Sequence, residues 1–148
     1  MAESLNGWYS TPEIIVLRID DMPTPRGPEE RARIRVLLAD DHTIVRNGVS
    51  QILTEQPDIE VVAQAADGEA AVALYRRERP DVSLVDLRMP ALDGVQVVEQ
   101  IRREHADAVL VVLTTFDSDE DVERALMAGA KAYLLKDVSP SDLVACVR

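Results

Sequence analysis

The sequence predicts an α/β domain, a parallel sheet wound on both faces by helices, and three observations carry that expectation. Short, almost wholly apolar runs rich in β-branched residues recur along the chain. Segments with helical spacing separate them, and glycines, prolines and capping residues fall at the junctions. A strand that is apolar at nearly every position must be covered on both faces, which is the signature of parallel sheets layered between helices.

The strand runs are "IRVLLA" (34–39), "IEVVAQA" (59–65), "VSLVD" (82–86), "AVLVVLT" (108–114) and "AYLL" (132–135). Between them lie stripes at helical spacing. Val45, Val49, Ile52 and Leu53 form the first, and Ala71, Val72, Leu74 and Tyr75 the second. Val97, Val98 and Ile101 form the third, and Val122, Ala125 and Leu126 the fourth. Asp67-Gly68 is placed to start the second helix and Gly129 to end the fourth. "SPSD" (139–142) reads as N-cap Ser139, Pro140 at the first helical position and an acid in the first turn, opening a fifth helix. Residues 1–31 differ. "IIVLRI" (14–19) has the composition of a short strand, but "DDMPTPRGPEE" (20–30) sets prolines and a glycine among acids, so an irregular or partly disordered arm is expected, to which Trp8 and Tyr9 belong. The division is an arm over 1–31 and a domain over 32–148.

Composition narrows the function. The 148 residues suffice for a substantial core. A formal net charge of -11 argues against a nucleic-acid grip or an anionic membrane surface. Cys146, the sole cysteine, excludes an internal disulfide and reads as a small apolar residue on a helix face. With no apolar run of membrane-spanning length and no leader pattern at the start, a cytoplasmic location is expected.

In a doubly wound sheet, chemistry gathers where the strands end at their carboxyl edge. Those ends carry Asp40-Asp41, Asp86, Thr114-Thr115 and Lys136. Carboxylates gathered there repel, by roughly 4 kcal/mol for a pair about 4 Å apart at an effective dielectric near 20. A divalent cation relieves that repulsion, and an all-oxygen ligand set suits Mg²⁺. Lys136 and a threonine hydroxyl would supply donors to an anion beside the metal. Asp40 and Asp41, neighbours on one turn, suit metal holding. Asp86 stands alone and suits the part of phosphoryl acceptor.

"VLLADDHTIVRNGVSQIL", "PDVSLVDLRMPALDG" and "VVLTTFDSDEDVERALMAGAKAYLLKD", in this order and spacing, resemble the receiver domain of two-component response regulators, in the branch that usually carries a LuxR/NarL-type helix-turn-helix. The resemblance covers about 32–148. It implies a flavodoxin-like strand order 2-1-3-4-5 in a three-layer fold, with Asp86 as the phosphorylation site. Asp41, Asp86 and the Arg88 backbone carbonyl would bind Mg²⁺ directly, and Asp40 partly through water. Lys136 would contact the phosphoryl group, Thr114 would move toward it, and Tyr133 would occupy the aromatic switch position behind it. The implied partner is a sensor histidine kinase, the implied chemistry self-phosphorylation and autodephosphorylation, not multiple-turnover catalysis. A phosphorylation-dependent homodimer is expected. Since "DLVACVR" closes the chain within or just past a short fifth helix, DNA would be reached only through a helix-turn-helix absent from these residues, with transcription as the output.

Blander readings compete. Taken singly, Asp40-Asp41 reads as a solvated turn, Asp86 as an exposed strand end, Lys136 as a surface lysine and Tyr133 as a core aromatic. Arg88 and Phe116 are placed to shield a phosphoryl group, though surface packing explains them equally. His42 and His105 have no second ligand at zinc spacing, so metal binding by them is not expected, and His105 is expected in an exposed turn. The acids of "DSDED" (117–121) suit a first helical turn. A rival from another class is a haloacid-dehalogenase-type phosphohydrolase. It needs a second acid two residues past its nucleophile, where this chain has Arg88.

Overall fold

The alternation of β-branched runs with amphipathic stripes produces, among the described residues, ten elements in strict βα order. The computed structural model describes residues 33–115 and 119–148. The expected arm, with its 14–19 segment, Trp8 and Tyr9, lies outside the described residues, as do Phe116, Asp117 and Ser118. The strands are β1 (Ile34–Ala39), β2 (Ile59–Ala65), β3 (Val82–Asp86), β4 (Leu110–Thr114) and β5 (Ala132–Leu135). The helices are α1 (Thr43–Thr54), α2 (Gly68–Glu78), α3 (Gly94–Glu104), α4 (Asp119–Ala128) and α5 (Pro140–Val147). All strand pairs are parallel, in the order β2-β1-β3-β4-β5. This is the flavodoxin-like order the resemblance implied.

Alternate strand side chains feed two cores. On one face Leu37, Val85, Leu110 and Val112 pack with Val72 and Tyr75 of α2, Val97, Val98 and Ile101 of α3, and Ala125 of α4. On the other, Val36, Leu38, Leu84, Val111 and Leu113 pack with Leu53 of α1 and Leu143, Val144 and Val147 of α5. Every residue of β3 and β4 is buried. The helix starts are fixed chemically. The Asp67 side chain accepts from the Ala70 N–H at 2.8 Å and that of Ser139 from the Asp142 N–H at 3.2 Å. At α3, Asp93 and Gln96 exchange a reciprocal capping box, at 2.9 and 3.0 Å. Gly129, at φ +119°, ends α4 as expected. Cys146 packs partly buried against the α1–α5 core. Among the described residues, no helix is long and apolar enough to cross a membrane.

Four expectations are corrected. The fourth strand begins at Leu110 rather than 108, because the Ala108 N–H turns to the His105 carbonyl at 3.1 Å. Strand β5 is not buried on both faces: as the sheet edge, it leaves Tyr133 and Leu135 45% and 44% exposed. Leu126 of the fourth stripe is likewise exposed, so α4 seats chiefly through Ala125. His105 is half-buried rather than in an exposed turn, its ring 5.2 Å from that of Tyr75.

The loop after β3 stores strain. Ala91 sits at φ 71°, and the Leu92 N–H donates to the Pro90 carbonyl at 2.8 Å. A three-residue turn closed this way around a positive φ is the rare, strained γ-turn, costly for a residue with a Cβ. Gly94 lies so close to β3 that a Cβ there would stand 2.5 Å from the Asp86 carbonyl oxygen. The loop is therefore clamped onto the end of β3.

Ala91→Gly is expected to stabilise the fold by about 1 kcal/mol, the relieved strain exceeding the added chain entropy of the unfolded state. Gly94→Ala is expected to destabilise it by about 2 kcal/mol or more through overpacking. Urea denaturation checks both, and a destabilised Ala91→Gly would refute the strain.

Candidate functional site

Register brings the acids together. Ala39 pairs with Val85, so the next residue on each strand, Asp40 and Asp86, meet at the carboxyl edge of neighbouring strands. Because β1 and β3 leave the sheet in opposite directions around this point, it is the topological switch point of the fold. Lys136 follows β5, its N–H donating to the Thr114 carbonyl at 2.8 Å.

Asp40 and Asp86 are 2% and 4% exposed, yet both carry charge-bearing side chains. The Lys136 Nζ lies 2.8 Å from Asp40 Oδ2 and 3.1 Å from Asp86 Oδ2, itself almost wholly buried. The Asp40 carboxylate is further oriented by the His42 N–H, which donates to Oδ1 at 2.8 Å. The Arg46 guanidinium donates to the Asp40 carbonyl at 2.6 Å, tying the first turn of α1 to the end of β1.

The two buried acids titrate in opposite directions. Burial pushes Asp86 up, the Asp40 charge adds to that, and Lys136 only partly offsets them, leaving a pKa of about 6. For Asp40 burial also acts upward, but hydrogen bonds from Lys136 and the His42 backbone outweigh it, so its pKa is lowered. For Lys136 burial acts downward, but the bonds to Asp40 and Asp86 more than offset it and the pKa is raised. The pair shares a single ammonium, and Asp86 is the partner left short.

One ligand atom each from Asp40, Asp41, His42 and Asp86 lies within 4.8 Å of the others. The three carboxylates and the Lys136 ammonium leave two formal negative charges in a site whose floor is buried. A divalent cation would cancel them, and the oxygen-rich donor set fits a hard cation. The Thr114 hydroxyl is a second indication: it is 1% exposed and its Oγ1 has no hydrogen-bond partner among the described residues. A buried orphan hydroxyl at a strand end calls for a partner, such as a bound water or an incoming acceptor.

The structure thus gathers Asp40, Asp41, Asp86 and Lys136 and sets Thr114 on the adjacent strand end. Arg88 points elsewhere: its guanidinium pairs with Asp121 Oδ2 of α4 at 2.8 Å, while its N–H approaches Asp86 Oδ1 at 3.4 Å. Tyr133 lies outward on β5, away from the core. Phe116 lies outside the described residues. Sequence reasoning missed two things. The Arg88–Asp121 pair joins residues read as a shield and as a helix-dipole acid. His42 was set aside because its ligands are not at zinc spacing, yet its Nδ1 stands 3.3 Å from Asp40 Oδ1 and 3.2 Å from Asp41 Oδ1. Adjacency to an acid pair at a strand-to-helix junction was the available signal.

A five-stranded parallel sheet with this order and an acid-lysine pocket at its switch point defines a receiver-type domain. Comparison with known proteins agrees: the response regulator receiver domain profile matches residues 36–148, and the chain belongs to that family. It is 44% identical over 115 residues to the transcriptional regulatory protein LiaR of Bacillus subtilis, covering 78% of this chain and 54% of LiaR. It is 43% identical to the response regulator protein VraR of Staphylococcus aureus, covering 78% and 55%. The receiver domain of the putative response regulator NarL from Mycobacterium tuberculosis superposes with a TM-score of 0.76 at 36% identity, covering 78% of this chain and 94% of that one. The chain spans about half the length of the curated relatives it matches. The LuxR/NarL-type resemblance is borne out by these relatives and by a LuxR-family regulator from Staphylococcus aureus at TM-score 0.73.

The Asp86 shift has a stability consequence. Its pKa rises on folding from an ordinary 3.8 to about 6, so the folded state binds more protons than the unfolded one between those values and loses stability as pH rises through them. In chelator-treated protein, Asp86→Asn is therefore expected to stabilise by about 1–3 kcal/mol above pH 6, and the gain should vanish below about pH 4. Denaturant titrations across that range check it; a destabilising Asp86→Asn at neutral pH would contradict the electrostatic reading.

Proposed function

We propose that residues 32–148 act as a phospho-receiver in which Asp86 accepts a phosphoryl group from a phosphohistidine of a sensor histidine kinase, with Mg²⁺ as cofactor. The observation that carries this reading is the Asp86 carboxylate, buried at the switch point and sharing the Lys136 ammonium with Asp40. An Asp86 oxygen attacks phosphorus in line, the phosphorus–nitrogen bond breaks, and the imidazole departs with its electron pair, leaving an acyl phosphate. Asp41, Asp86 and the Arg88 carbonyl would hold the cation directly and Asp40 partly through water. When bound, Mg²⁺ supplies charge neutralisation for the transferring group. Lys136 is placed to trade a carboxylate contact for a phosphoryl oxygen, and the Thr114 hydroxyl is placed to donate to another. The protein's contribution is positioning and charge, which is what phosphoryl transfer requires.

The same site would return the phosphoryl group to water, once per loading. The dehalogenase-type alternative gains no support: two residues past Asp86 stands a guanidinium paired with Asp121, not an acid. For output, transcription regulation follows the relatives' names. The formal charge of -11 disfavours DNA contact by these residues themselves. Tyr133 would switch with Thr114, altering a face where Met127, Leu126, Tyr133 and Leu135 are exposed, an apolar surface suited to phosphorylation-sensitive self-association.

Incubation with a small acyl phosphate and Mg²⁺ is expected to load one acid-stable, alkali-labile phosphoryl group per chain. Mass spectrometry should place it on Asp86, with loading lost in Asp86→Asn and under chelation. Sustained release from many phosphomonoesters, or an unchanged label in Asp86→Asn, would defeat the reading. With a beryllofluoride mimic, sedimentation should shift toward dimer.

A further inference from the structure

We propose that His42 is a direct ligand of the metal site, giving this receiver a mixed nitrogen-oxygen donor set that favours a borderline transition ion such as Co²⁺ or Zn²⁺ more than an all-oxygen set would. The inference rests on the metal-binding role proposed above and adds a residue that role does not use.

Geometry carries it. Ligands about 2.1 Å from one ion stand roughly 3.0–3.5 Å from each other in octahedral or tetrahedral coordination. The His42 Nδ1 is 3.2 Å from Asp41 Oδ1 and 3.3 Å from Asp40 Oδ1, inside that range, with Asp86 Oδ2 farther at 3.9 Å, so the ring nitrogen joins the Asp40 and Asp41 oxygens as a third donor around one position. The backbone holds it there. His42 caps α1 at φ -90°, ψ 105°, outside the helix, and its own N–H is bound to Asp40 Oδ1. The ring makes no capping bond at the helix start.

Lys136 divides the site. It occupies the Oδ2 atoms of Asp40 and Asp86 from the buried side, whereas the imidazole faces the Oδ1 atoms of Asp40 and Asp41 from the solvent side. The ring is 64% exposed, so it reaches an entering ion without unpacking the fold. Imidazole contributes little to Mg²⁺, which prefers oxygen and retains its waters, and much to ions later in the first transition row. Selectivity, rather than the capacity to bind, is therefore what His42 sets.

The chain holds two histidines, and His105 lies against Tyr75 at the far end of α3, so a metal-shifted imidazole has one source. In the full chain titrated with Co²⁺, proton NMR is expected to show a hyperfine-shifted ring N–H resonance that disappears in D₂O and is absent from His42→Ala. Calorimetry should show Co²⁺ affinity falling about tenfold or more in His42→Ala, the scale on which metal sites respond to loss of an orienting group, with Mg²⁺ affinity unchanged. His42→Asn, which keeps a polar side chain at the cap, should match His42→Ala. Co²⁺ binding without a shifted imidazole, or equal losses of Mg²⁺ and Co²⁺ affinity in both variants, overturns the proposal while leaving the phospho-receiver reading intact. Failure of the wild-type chain to bind either ion would instead overturn both.

Discussion

Two buried carboxylates held on one ammonium are the constraint around which this domain is organised. Asp40 follows strand β1, Asp86 ends the neighbouring central strand β3, and Lys136 follows the edge strand β5. Taking each charge out of water costs several kcal/mol, and an attraction of about 5 kcal/mol per contact at an effective dielectric near 20 offsets it only while the partners stay in place. One ammonium between two acids is half of what neutrality needs. Burial, together with the remaining imbalance, raises the affinity of Asp86 for a proton. In the same measure it is an affinity for any other cation that can enter, and a readiness to exchange one negative group for another.

Holding the acids so close demands a stiff frame, and the main chain supplies it. The β3–α3 loop turns through Ala91 at positive φ, passes Gly94 against the Asp86 carbonyl, and locks into α3 through the Asp93–Gln96 box. The Leu87 N–H bonds the Leu113 carbonyl at 3.0 Å, and the Gly94 N–H bonds the Leu87 carbonyl at 2.8 Å. The neighbouring capping and ladder bonds fix the ends of this strained loop. Local propensity is violated here beside the buried Asp86 carboxylate, and among the described residues the other non-glycine at positive φ, Arg79 at 47°, caps the end of α2.

Much of this was legible in the sequence, for definable reasons. Strands β1, β2, β3 and β5 were readable to the residue because parallel strands are apolar on both faces and turn residues bound them. The strand ends were legible as a set, since a parallel sheet brings every carboxyl terminus to one edge. The differences have two kinds of cause, local turn bonds and the placement of side chains by the sheet. A start at Leu110 rather than 108 depends on a turn bond to His105. The exposure of Leu126, Tyr133 and Leu135 depends on β5 being an edge. The nearness of His42 to three acids was not legible from ligand spacing, because those neighbours come from adjacent positions and from another strand.

How a charge change at Asp86 would reach the surface can be followed through contacts already in place. Asp86 meets the Arg88 N–H, and the Arg88 side chain holds Asp121 in the first turn of α4. Thr114 lies beside it on β4, paired in register with Leu135 of β5. Both routes end on the face where Leu126, Met127, Tyr133 and Leu135 are exposed. Contiguity alone does not make a switch; a part with two comparable arrangements is also required. Helix α4, seated chiefly by Ala125 and tethered by an ion pair at the site, is the least firmly packed element on that path. A group that competes for Arg88 or Thr114 therefore acts where the structure resists least.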